Sequence, residues 1–296
     1  MASVINGTKM LRENLQEGDT DDRGHAKTRE EAEVEWTLVP NIIGRCASNK
    51  RNINLSLASP VVTVEEAVQH FRSLDLPKQC AKISSDKSKL AELVCWLKFP
   101  HLNEELHEEV ILLNSQMQSG LNWSDKVQFR AMQTLYRKLS GAKIDCPQRG
   151  SHWQLIGFQG NDPATDFRGV GLFGLLQFLY LTSEDLLPLG HRLYKVANSD
   201  TQPFPLAVLS LNVTNIVWNI FNSGKLNREC NNRKSVITTL NSFYAALMVF
   251  IFNIWITQKK TIKDSGYLLK DAEKYCGKNV KKVLKDLSKN LLKYEK

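Results

Sequence analysis

From residue 61 onward, apolar residues recur three and four positions apart in one segment after another, the spacing of amphipathic helices. Val64, Ala67, Val68, Phe71 and Leu74 form one such face behind Thr63-Val64-Glu65-Glu66. That start is a capping box, in which the threonine side chain and the glutamate satisfy each other's backbone N–H groups. Pro77 ends this helix, and residues 90–99 predict a second, stopped by Pro100. Asn103 heads a third with Leu106, Val110, Leu113 and Met117 inward, its first turn carrying acids that suit the helix dipole. Ser124 heads a fourth along Val127, Ala131, Leu135 and Leu139, closed by Gly141. Further helices are expected over residues 184–196, from Pro205 to near Gly224, and over 235–255. Asn212, Thr214 and Asn215 break the apolar run of the middle one, marking a surface side or polar contacts between helices. No segment alternates like a strand and no fixed-period repeat occurs, so the fold class is all-α.

Residues 1–60 lack this pattern. Charge dominates residues 18–35, which offer too little apolar surface to offset ordering entropy, so a disordered N-terminal region is expected. Residues 36–43 form an apolar island that either docks on the domain or binds a partner. The most apolar run, 243–256, is shorter than the roughly 20 residues a membrane span wants and contains Asn253, which predicts a buried core helix. Residues 258–296 are basic and amphipathic, with Leu269, Ala272, Val280, Val283, Leu284, Leu287, Leu291 and Leu292 at helical spacing. Their stripe is expected to pack on the domain, with peripheral membrane contact as the alternative.

The composition, 42% hydrophobic and 24% charged, is that of a soluble globular protein. The net charge of +8 arises largely from the C-terminal third and suits an acidic protein or an anionic membrane. Nucleic acid is not expected as a partner, because no basic-aromatic platform or known motif accompanies the charge. Cys46, Cys80, Cys95, Cys146, Cys230 and Cys276 are scattered without CxxC spacing. With no signal peptide apparent, they read as reduced, buried thiols in a protein that is neither secreted nor transmembrane. His101 and His107 lie among Glu104, Glu105, Glu108 and Glu109, yet Ile111 stands where a zinc HExxH motif needs its second histidine. A solvated acidic face is the expectation there. No metal or cofactor is implied, and no nucleophile has a positioned base.

Residues 152–181 fit none of these patterns. The segment is apolar and aromatic at both ends, but Gln159, Asp162, Asp166, Arg168 and closely spaced glycines fill its middle. Buried unpaired charges would cost several kcal/mol, so these side chains must pair or face solvent. Asn161-Asp162-Pro163 reads as a turn with a capping aspartate and proline at the first helical position. Thr165 and Asp166 are expected to accept from the head of the next helix, which Leu172, Leu175, Leu176 and Leu179 anchor. Arg168 then sits on a rigid turn, where Gly169 and Gly171 would admit the backbone of another protein. The alternative is that Arg168 merely bridges Asp162 or Asp166. Gly169 to Gly174 also spells G-x-G-x-x-G, but a turn rather than a strand precedes it and no acid closes a second strand. Close helix packing explains Gly174 better.

The spaced pattern Trp153, Gly157, Phe158, Gln159, Pro163, Thr165, Asp166, Phe167, Arg168, Gly169, Gly171 resembles the signature of the ELMO domain. More narrowly, it resembles the ELMO domain-containing GTPase-activating proteins for Arf and Arf-like GTPases. The resemblance covers most of the chain after about residue 60, making 61–296 one ELMO domain. Blocks at 211–221, 228–247 and 257–273 resemble one branch of the group, its third vertebrate paralogue. The resemblance implies that Arg168 is a catalytic arginine, inserted in trans into a GTP-loaded Arf or Arf-like GTPase, and that the chain is not itself an enzyme. Gln159, Asp162 and Asp166 would hold the arginine loop, Trp153 and Phe158 would brace it, and Gly157, Pro163, Thr165, Gly169 and Gly171 would shape it. A non-catalytic scaffold or effector, as in the larger ELMO proteins that assist a Rac exchange factor, is the other function the family implies. The implied location is cytoplasmic, at actin-rich or ciliary sites.

Overall fold

The computed structural model describes residues 61–76 and 99–294. Through them run α1 (Val64–Ser73), α2 (His107–Gln118), α3 (Lys126–Ser140), α4 (Gly171–Tyr180), α5 (Leu187–Ala197), α6 (Leu206–Asn222), α7 (Asn227–Arg233), α8 (Val236–Thr257), α9 (Ser265–Lys278) and α10 (Val280–Leu291). Among the described residues there is no strand, so the fold is all-α. The expected disorder over 1–60, the island at 36–43, the helix at 90–99, Pro77 and Cys46, Cys80 and Cys95 lie outside the described residues.

Local chemistry sets the helix ends. The Thr63 hydroxyl accepts from the Glu66 N–H at 3.1 Å while the Glu66 carboxylate accepts from the Thr63 N–H at 2.8 Å, closing the predicted box. α3 starts one residue later than expected. Asp125, not Ser124, accepts from the Val127 and Gln128 N–H groups at 2.9 and 3.1 Å. Ser124 belongs to the preceding turn, where its N–H donates to the Asn122 side chain at 3.0 Å. Gly141 ends α3 in the left-handed region at φ +74°, as predicted. The Asn103 side chain makes no cap bond; the chain first winds a 3-10 turn at Glu104–Leu106 and only then enters α2.

Helix α4 is the hub. Every residue from Gly171 to Leu179 is buried, and the helix packs on α1, α2, α3, α6 and α8. Gly174 lets α6 approach: a Cβ there would lie 2.6 Å from a Val170 methyl and 3.0 Å from a Leu211 methyl. Helix packing, not nucleotide binding, therefore accounts for that glycine. Helix α8 is long and apolar enough by composition to cross a membrane, but 72% of its most apolar window is buried inside the fold. It is a core helix, longer than the run at 243–256 because buried Thr239 and Asn241 extend it toward its start. Its polar break, Asn253, accepts from the Tyr294 hydroxyl at 2.9 Å. The polar breaks in α6 divide as well: buried Thr214 donates to the Ser210 carbonyl, and Asn215 is exposed. The stripe of α10 packs on α8 through Val280 and Leu284, with Val283, Leu287 and Leu291 beside them.

The acidic head of α2 is not all solvated. Glu109 turns inward and accepts from the Val236 and Ile237 N–H groups at 2.7 and 3.2 Å, and from the Ser235 hydroxyl at 3.3 Å. It thereby occupies the N-terminus of α8, where unpaired N–H groups and the dipole favour an anion. Glu109→Ala is expected to lower unfolding free energy by about 1–3 kcal/mol, against under about 0.5 kcal/mol for exposed Glu108→Ala. Urea midpoints of the two variants at unchanged slope provide the measurement; equal midpoints would show that Glu109 contributes nothing.

Candidate functional site

Between α3 and α4 the chain winds a 3-10 helix at Ser151–Ile156, a second short one at Pro163–Thr165, and a turn that delivers Val170 to the head of α4. Asp162 caps the second, accepting from the Ala164 N–H at 3.0 Å, and Pro163 is buried at its first position, as the sequence predicts. The next step differs from expectation. Helix α4 begins only at Gly171 and its Val170 cap offers no side-chain bond. The Thr165 hydroxyl donates backward to the Asp162 carbonyl at 2.9 Å, and Asp166 accepts from the Gln159 N–H at 2.6 Å. Left-handed backbone at Gly169 and Gly171 (φ +95° and +48°) interrupts the helical run and leaves both side chains behind it.

Aromatic rings make the floor of this loop. Trp153 is fully buried, its indole N–H donating to the Gln148 carbonyl at 3.0 Å. Around it lie Trp123, Tyr136 and Phe158, and Phe158 meets Phe167 and Phe178 at ring-centroid distances of 5.6 and 6.0 Å. Phe167 is thus the buried anchor immediately before Arg168. Edge-to-face and tilted pairs of this kind hold geometry as well as burying area.

Two glycines clamp the loop to the rest of the fold. A Cβ on Gly157 would lie 2.1 Å from the Leu206 nitrogen at the head of α6, and the Gly157 carbonyl accepts from the Val208 N–H at 3.3 Å. A Cβ on Gly171 would lie 2.3 Å from the Gln116 carbonyl oxygen, and the adjoining Leu172 N–H donates to the Ser119 carbonyl at 2.9 Å. Gly171 is therefore buried against the end of α2 rather than offered to another protein. Gly169 is exposed, with nothing within 4 Å of where its Cβ would stand.

Arg168 is exposed, and among the described residues its guanidinium has no hydrogen bond or ion pair. The acids that might have bridged it are engaged elsewhere. The two Asp162 oxygens accept from the Trp123 indole N–H at 3.0 Å and the Arg149 Nε at 2.9 Å. Asp166 holds the Gln159 backbone and takes a long 3.5 Å contact from the Thr165 hydroxyl. Among the described residues, the Gln159 side chain likewise has no partner, so its part in the loop is played by its backbone. Phe167 stands in the signature but is given no role there, and Trp123 and Arg149 lie outside it; all three support the loop. Phe167's role could have been found from its place between two polar residues; Trp123 and Arg149 stand outside the signature, 30 and four residues before Trp153, and carry no such signal.

The loop carries two titrating groups with opposite effects. Burial pushes the Asp166 carboxyl up to about 6, only partly offset by the Gln159 N–H, the Thr165 hydroxyl and the charge of Arg168. The folded state then holds this proton more tightly than the unfolded chain, so its contribution is largest in acid and is lost as pH rises from near 4 to 6. Burial pushes the His152 imidazole down to about 4, although it bonds the Pro147 carbonyl at 3.2 Å. Its contribution is full above pH 6.5 and is lost as pH falls toward 4. The stability of wild type relative to Asp166→Asn is expected to fall by about 2–3 kcal/mol between pH 4 and 7. Urea unfolding of both proteins across that range measures it; a constant difference would mean that the Asp166 carboxyl is unshifted.

Among the described residues no group of three or more histidine, cysteine or acidic side chains could hold a metal ion. Cys146, Cys230 and Cys276 are free and buried, their thiols pushed up to about 12 by burial, which leaves them unreactive.

The sequence profile of the ELMO/CED-12 family matches residues 111–269, from within α2 into α9, and so includes the whole arginine loop. Human ELMO domain-containing protein 3 is 37% identical over 272 residues, covering 90% of this chain and 70% of that protein. The mouse protein of the same name is 36% identical over 274 residues, or 91% of this chain and 70% of its own. Bovine ELMO domain-containing protein 2 is 31% identical over 110 residues, 36% of this chain and 37% of that protein. No solved structure matches the chain.

Proposed function

Because the chain belongs to the ELMO/CED-12 family, we propose that it activates GTP hydrolysis by a small GTPase of the Arf or Arf-like class, supplying Arg168 in trans. One observation carries this reading: Arg168 is exposed and, among the described residues, without a hydrogen bond or ion pair, on a loop whose backbone is held from below. A guanidinium placed for structure would be bonded to its own chain. One placed for a partner must be free at the tip and rigid at the base.

The chemistry follows from charge. Hydrolysis of GTP spreads negative charge over the transferred phosphoryl group and the leaving oxygens, and a cation inserted there stabilises the transition state more than the ground state. The planar guanidinium donates two parallel hydrogen bonds in a site from which the contact excludes water. Asp162 is taken by Trp123 and Arg149 and Asp166 by the Gln159 N–H, so both hold the loop and neither forms an ion pair with the arginine, although the Asp166 carboxyl feels its charge. Pre-organisation lowers the ordering cost on contact.

Single-turnover GTP hydrolysis by a panel of Arf and Arf-like GTPases, with and without the protein, tests the proposal. Acceleration of one member by about 10³-fold or more is expected. Binding of the GTP-loaded form without acceleration would instead make the protein a scaffold or effector.

A further inference from the structure

The net positive charge of this chain is concentrated in one stretch. Residues 258–296 hold twelve lysines against five acids, a net +7 out of the chain's +8, and no arginine at all. Helix α9 buries Leu268, Ala272, Cys276 and Gly277 against α6 and α8, and α10 buries Val280 and Leu284 against α8. The opposite faces are left to solvent. On α9 that face is Lys270, Lys274 and Lys278; on α10 it is Lys281, Lys285 and Lys289, each set four apart and every one exposed. Among the described residues none of these six pairs with a carboxylate. Asp271 and Asp286 sit beside the two rows without reaching them. The most exposed large hydrophobic side chains among the described residues flank the rows along the chain: Tyr267, 79% exposed, precedes the α9 row, and Leu292, 59% exposed, follows the end of α10.

We infer that this α9–α10 face is a docking surface for an anionic membrane. Lysine is a compact point charge without the fork that fixes arginine on a single carboxylate, so an all-lysine face suits a diffuse field of headgroups better than the shaped surface of an acidic protein. A tyrosine and a leucine standing clear of the fold and flanking the lysine rows along the chain suit the bilayer interface, where amphipathic and apolar tips are accepted. The apolar stripe of α10 stays on α8, so contact is electrostatic with shallow insertion and not the burial of an amphipathic helix. The inference stands apart from the role of Arg168, and shares no residue with it.

Sedimentation of the full chain with phosphatidylcholine vesicles, with and without about 30% phosphatidylserine, tests it. Binding is expected only to the anionic vesicles and is expected to collapse as salt rises from about 0.1 to 0.5 M. Each lysine near such a surface multiplies partitioning about fivefold. Replacing Lys274, Lys278, Lys285 and Lys289 together by glutamine should therefore weaken binding by about a hundredfold or more, with thermal unfolding unchanged. Tyr267→Ala should lower the fraction retained at high salt. Three results would overturn the inference: no sedimentation with anionic vesicles, equal sedimentation of the quadruple variant, or binding to polyglutamate as tight as to the vesicles, which would make this a face for an acidic protein.

Discussion

Arg168→Lys is expected to reduce the stimulated GTP hydrolysis of the partner by about a thousandfold or more, while its stability and its grip on the GTP-loaded partner hardly change. Among the described residues the side chain makes no hydrogen bond or ion pair, and it stands in solvent, so its replacement leaves nothing buried or unpaired. Changes at such positions stay within about 0.5 kcal/mol. Lysine keeps the positive charge but loses the fork of donors that meets two phosphoryl oxygens at once, and that difference is felt only in the transition state. A selective loss of about 4 kcal/mol in barrier lowering follows from the fold-change. Single-turnover rates, partner-binding titrations and melting curves on both proteins separate the cases. Equal loss of binding and rate would point to a docking role, and a lowered melting temperature would return the residue to the structure.

Gly157→Ala and Gly171→Ala are each expected to destabilise the fold by about 3 kcal/mol or more. The added carbon would stand 2.1 Å from the Leu206 nitrogen in one case and 2.3 Å from the Gln116 oxygen in the other. Both obstacles are backbone at a helix end, so neither can swing aside like a side chain. Positive φ adds strain of its own. Gly169→Ala separates the two terms: it has a positive φ but open space around it, so only the strain of about 1–2 kcal/mol is expected. Chemical denaturation of the three variants gives the ranking, and a Gly169 variant as unstable as the other two would disprove the clash.

These glycines show where sequence reading stops. Both stand in the signature and so were visible as important, but the reason lies in backbone from residues 206 and 116, which no local pattern connects to them. Helix ends such as Thr63 and Gly141 were legible because the bonds that make them span three or four residues. Ser124 and Asp125 could not be ranked, since either side chain can cap and only the turn at Asn122 decides. Glu109 looked like one solvated acid among several because the amide it serves is 127 residues away. Arg168 was identified by the residues around it, yet its freedom from Asp162 depends on Trp123 and Arg149, neither of them in the motif.

The double anchorage of the loop has a consequence for inheritance. One clamp is the end of α2 and the other the head of α6, elements from opposite sides of the loop in the chain. The arginine is thus aimed by segments that no partner need ever touch. On the proposed role of Arg168, a substitution that shifts Ser119 or Pro205 would tilt its presentation and weaken that role without touching the loop itself. In a pedigree, such alleles would map away from the tip of the loop while behaving like lesions at it.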